Sequence, residues 1–148
     1  LGYRDTRHSV WFKFKIIICV NFAYIVDYVN MRYFSYSEFD SPDEVGSGQK
    51  MHPDILEMLD EVRDKFDKPI RINSGYRSEK HNSKVGGTPN SSHLRGLAVD
   101  IACSSSVDRY HLLNCLLDVG FNRIGIAGSF IHVDIDPEKA KDVIWTYA

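Results

Sequence analysis

Two short runs of this chain alternate apolar and polar residues in the pattern of a half-buried strand. In the first, Leu97, Val99 and Ile101 alternate with Ala98 and Asp100; in the second, Ile131, Val133 and Ile135 alternate with His132 and Asp134. Successive side chains of a strand point to opposite faces, so the branched aliphatics of each run pack inward while Asp100, His132 and Asp134 take the other side. His93 stands just upstream, where a polar loop leads into the first run. Singly, a histidine or aspartate in such a place is more often a hydrogen-bonded polar group than a ligand. Together, His93, Asp100 and His132 are three good zinc ligands in apolar frames that would otherwise bury them at a cost. Two imidazoles and one carboxylate suit a tetrahedral zinc ion with its fourth position open to water, the coordination of a hydrolase. Water at such a position has its pKa lowered from about 16 towards 7.

At 148 residues, 43% of them hydrophobic, the chain can bury one sizeable core and is short for two. A net charge of -2 leaves no basic footprint for nucleic acid, which is excluded as a partner. Cys19, Cys103 and Cys115 are odd in number and unpaired in spacing, which indicates neither a disulfide framework nor a cysteine zinc site. Cys115 lies among leucines and reads as a small core residue. Residues 1–30 differ in character, with basic residues followed by an aromatic and isoleucine-rich stretch. Asn21 interrupts that stretch and Asp27 ends it, short of the ~20 apolar residues of a membrane span. No small-residue cleavage site follows. The reading is an N-terminal extension, with a weak export signal or an edge strand as alternatives.

Beyond it, residues 41–48 are turn-rich, and Pro53 marks the start of a helix whose stripe is Ile55, Leu59, Val62 and Phe66. Pro69 is expected to stop that helix ahead of a strand at 70–73. A second helix is expected over 107–119, ended by Gly120 in a left-handed cap. Residues 123–127 and 130–135 read as a hairpin turning at Gly128 and Ser129. A short closing helix is expected over 138–145, after Pro137.

Ser91, His93, Gly96, Ala98 and Asp100 resemble the Ser, His, Gly, Ala, Asp signature of the zinc D-alanyl-D-alanine carboxypeptidases. Residues 130–134 are similar to that family's third-ligand strand, and residues 70–78, Asn82 and Gly86-Gly87 match in the same order. The resemblance implies an α+β domain over 31–148, a small antiparallel sheet flanked by helices. Vancomycin-resistance dipeptidases, phage cell-wall endopeptidases and the Hedgehog signalling domain share that type. It further implies one Zn2+ on His93, Asp100 and His132, and hydrolysis of peptidoglycan stem peptides. The bond cut is either the terminal D-Ala-D-Ala link or an internal L,D-bond. Such a protein is expected to be a monomer without a stable membrane span. It would act on the cell wall after export, release by phage lysis or carriage on a virion, and the small size is similar to that of phage endolysins.

Many relatives carry a glutamate three residues before the last ligand, and here that position is Ser129. Asp134 is expected to act as proton acceptor in its stead, or else to accept a hydrogen bond from a ligand histidine. Asp136 and His81 are lesser candidates. Arg77, after Ser74-Gly75-Tyr76, is expected to bind a substrate carboxylate or the developing oxyanion, and Ser91 to bond substrate or loop backbone. Gly96 is expected where its loop needs close approach or positive φ. Tyr76, Asn82 and Gly86-Gly87 read as scaffold. The missing glutamate also leaves open a catalytically silent, zinc-stabilised binding or virion structural module.

Overall fold

The computed structural model describes residues 28–147, so the extension expected over 1–30 lies outside the described residues but for its last three. Helix α1 (Pro53–Phe66) begins with Pro53 in the first turn, where a missing N–H costs nothing, and Nδ1 of His52 accepts from the Asp54 N–H at 3.3 Å. Ile55, Leu56, Leu59 and Val62 bury its apolar stripe. The helix stops before Pro69 is reached, because Asp67 turns left-handed (φ 53°) and donates its N–H to the Arg63 carbonyl. Strand β1 (Ile72–Ser74) follows, shifted from the expected 70–73. Helix α2 (Glu79–Lys84), six residues capped by Ser78, was not foreseen, since so short a segment carries no apolar period. Helix α3 (Ser106–Val119) starts one residue early, at the Ser105 cap, and ends at Gly120 with φ 106°, the left-handed cap the sequence indicated.

Strands β2 (Ala98–Ala102), β3 (Arg123–Ile126), β4 (Phe130–Asp134) and β5 (Val143–Thr146) complete a five-stranded sheet in the order β1-β2-β4-β3-β5. The β3–β4 hairpin is the expected one. The closing helix over 138–145 is not formed: turns follow Pro137, and β5 then pairs parallel with β3. Val143, Ile144, Trp145 and Thr146 are β-branched or aromatic, and they cover a β3 edge that would otherwise stay unpaired. The sheet is therefore mixed, in an α+β fold.

The core joins Ile55, Leu59 and Val62 of α1 and Leu112 and Leu116 of α3 to Val99, Ile101, Ile124, Ile131 and Val133 of the sheet. Alternation then turns Asp100 and His132 to the face away from that core. On it the register aligns Ser74, Asp100, His132, Gly125 and Trp145 in one row across all five strands. The start of the described chain is fastened to α1 by Asp60, 1% exposed, whose carboxylate accepts the N–H groups of Arg32 and Tyr33 at 3.0 Å.

Candidate metal centre

His93 sits on a 3-10 turn (Ser92–Arg95) that ends at Gly96 with φ 66°. Both expectations for Gly96 hold, because a Cβ there would also strike the Lys50 carbonyl oxygen. The turn aims the His93 ring at the strand row, with Nδ1 2.7 Å from the Gly75 carbonyl oxygen. A carbonyl only accepts, so Nδ1 carries the proton and Nε2 presents its lone pair. That Nε2 lies 3.3 Å from Oδ1 of Asp100, and Nδ1 of His132 lies 2.8 Å from the same oxygen. One ligand atom from each of His93, Asp100 and His132, all buried, falls within 4.8 Å of the others.

Arg77 completes the arrangement by donating from Nη2 to Oδ2 of Asp100 at 2.6 Å and from Nε to Oγ of Ser74 at 2.8 Å. The aspartate thus turns one oxygen to the histidines and the other to a guanidinium. Burial opposes the charge of Asp100, but the imidazoles of His132 and His93 against it outweigh burial and hold the carboxyl far below its usual range. Burial pushes His93 down. Burial also opposes charge on His132, yet its hydrogen bonds to Asp100 and Asp134 prevail and leave the imidazole above its ordinary value. These buried nitrogen and oxygen donors around a common centre are a set that zinc accepts.

Asp134 lies on the far side of His132 from Asp100. Its Oδ2 lies 3.1 Å from Nε2 of His132, while Oδ1 accepts Nε–H of Arg123 at 2.7 Å and the Asp136 N–H at 3.1 Å. Strand alternation does put Asp134 beside His132, but the two nitrogens of an imidazole face opposite ways. The carboxylate, 2% exposed, lies across the ring from the nitrogen that faces Asp100. It meets Nε2 of that ring, the nitrogen turned away from Asp100. Asp136 is likewise engaged: its fully buried carboxylate accepts from Ser92 at 2.7 Å and from Arg95.

A cavity of about 250 Å³ reaches Asp100 of the cluster, with Arg77, Asn73, His81, Glu38 and Phe130 also in its wall; His93 and His132 do not line it. His81 lines the same cavity. Ser91 is buried at the start of the 3-10 turn and is not part of that wall. A larger cavity of about 440 Å³ lies between the ends of α1 and α3, and Ser129 lines it. Its wall holds no histidine, so size does not mark the chemistry here.

Sequence reasoning missed Arg123, Trp145 and Tyr147. The Trp145 ring stands 5.6 Å from that of His132, and Tyr147 stands 5.3 Å from Phe130. Both aromatic rings lie over Gly125, where a Cβ would come within 2.7 Å of each. The β-branched and aromatic run at 143–146 was the available signal for Trp145.

A sequence model of the peptidase M15 family matches residues 32–136, more than half of the chain. The chain is also 51% identical over 39 residues to the zinc D-Ala-D-Ala carboxypeptidase of Streptomyces albus G. That stretch is 26% of this chain and spans only 15% of the length of that relative.

Proposed function

This chain belongs to the peptidase M15 family, and we propose that it is a zinc-dependent peptidase that hydrolyses peptidoglycan stem peptides at the cell wall. The observation that carries the reading is the buried His93, Asp100 and His132 cluster beside a cleft with Arg77 in its wall. Those three side chains would hold one Zn2+, which supplies Lewis acidity to a carbonyl and acidifies a water molecule. The relative named for zinc and D-Ala-D-Ala supports both metal and substrate class.

The protein's own groups then have separable tasks. The Gly75 carbonyl fixes the His93 tautomer, and Asp134 steadies His132. Arg77 holds Asp100 and, with its remaining N–H groups, takes a substrate carboxylate or the developing oxyanion. Ser91 supports the loop that carries His93. Proton transfer falls to His81, because the other ionisable candidates are committed elsewhere. Glu38 accepts the Ser35 N–H at 2.8 Å, and the Asp40 oxygens accept those of Gly46 and Gly48 at 2.9 and 2.7 Å. An imidazole in the wall of the cleft is a fitting general base.

Serine at position 129, where many relatives carry glutamate, favours a second reading as a silent, zinc-stabilised binding module. Incubating zinc-loaded protein with purified peptidoglycan and analysing the released fragments by mass spectrometry separates the cases. Free D-alanine identifies a carboxypeptidase, and longer peptide fragments identify an L,D-endopeptidase. No release at all would contradict the enzyme and favour the module.

A further inference from the structure

We propose that Arg123 is a positioning residue of the metal centre: through Asp134 it fixes the His132 imidazole with Nε2 protonated and Nδ1 turned to the cation. This rests on the zinc reading above and names a part of the site outside the ligand set.

Geometry carries the argument. Arg123 opens β3, next to β4, and its Nε donates to Oδ1 of Asp134 at 2.7 Å, with the two side chains 11% and 2% exposed. The other oxygen of Asp134 meets Nε2 of His132 at 3.1 Å. A carboxylate can only accept, so the hydrogen between them belongs to the imidazole; a cation beside Asp100 would take the place of the other ring hydrogen, on Nδ1, and leave Nε2–H to Asp134. Nδ1 is the nitrogen that faces Asp100, at 2.8 Å. Asp134 can keep Oδ2 on the ring because Oδ1 is pinned from two directions, by Arg123 and by the Asp136 N–H. Without the guanidinium only the Asp136 N–H still holds Oδ1, so the carboxylate's grip on the His132 ring loosens.

The same arginine reaches the closing strand. Its Nη1 donates to the Ala140 carbonyl, and its guanidinium carbon lies 5.4 Å from the centre of the Trp145 ring. Trp145 in turn stands against His132. One side chain thus ties the 137–142 turns and β5 to a ligand on β4, so the ring is held at Nε2 by the carboxylate and on its flank by the indole.

The test measures zinc affinity by chelator competition in wild type, Arg123→Gln, Asp134→Asn and the double variant, with thermal melts of the zinc-free forms as a folding control. Each single substitution should weaken zinc binding about 10–100-fold, the range typical of groups that orient a ligand histidine. The double variant should be no weaker than the worse single one by more than about threefold, because both break one chain of contacts. Unchanged affinity in folded Arg123→Gln protein, or losses that simply add, would overturn the proposal while leaving the zinc reading intact. A wild type that takes up no zinc removes that reading and the proposal with it. Should Arg123→Gln fail to fold, 15N spectra of the wild-type histidines decide. Protonated Nε2 on His132 with zinc bound supports the proposal, and protonated Nδ1 overturns it.

Discussion

Asp100 is the hinge of the site, because its two oxygens serve different partners: the histidines on one side and Arg77 on the other. A lysine at position 77 keeps the charge but cannot span Ser74 and Asp100 with one planar fork. Arg77→Lys is therefore expected to retain zinc while losing about 100-fold in kcat/KM on a stem-peptide substrate, the loss typical of one removed charge-stabilising donor. Zinc content and steady-state kinetics on the same preparation check it. Equal loss of metal and rate would show that Arg77 acts only by holding Asp100. That Asp100 and His132 share one face was legible in the sequence, because alternation sorts strand residues into a packed face and a chemical face. The placement of Asp134 was not, since spacing puts a carboxylate near a histidine without saying which ring nitrogen it meets. Arg123 escaped notice for a related reason: its partner lies eleven residues away on the neighbouring strand.

Helices α1 and α3 were readable because their ends carry their own chemistry, Pro53 at one start and Gly120 at one finish. Strand β5 was not, because Pro137 followed by charged residues imitates a helix start, and the need to cover the β3 edge exists only once the sheet has formed. Asp60 shows a similar tertiary demand imposed on a helix. It lies in the buried face of α1, where a carboxylate would be costly if it did not accept the N–H groups of Arg32 and Tyr33. Asp60→Ala should leave those donors without their partner and cost about 1–3 kcal/mol in urea unfolding of the zinc-free protein. A change under about 0.5 kcal/mol would mean that residues 31–33 are not held to α1 in solution.

For the molecule as a whole, the turn bearing His93 and the segment after β4 are joined by one buried group. Asp136 accepts from Ser92, Arg95 and the Glu138 N–H. Burial alone would raise its pKa, but the Ser92 and Glu138 hydrogen bonds and the charges of Arg95 and Lys139 outweigh burial and hold it below the usual carboxylate value. A carboxyl lowered in the folded state adds stability above its unfolded pKa, about 3.9, and that contribution is lost as pH falls through the lower folded value. Urea melts of the zinc-free protein should therefore show stability falling below about pH 4, with a shallower fall in Asp136→Asn. An unchanged slope in that variant would place the acid sensitivity elsewhere. Zinc should add about 2.7 kcal/mol when free metal reaches 100 times its Kd, by mass action alone. The central claim, that His93, Asp100 and His132 converge on one divalent cation, is tested most directly by metal analysis of protein loaded with zinc and freed of excess by gel filtration. The expected result is one zinc per wild-type chain and none in His132→Ala. A zinc-free wild type, or a His132→Ala protein that keeps its full equivalent, would contradict it.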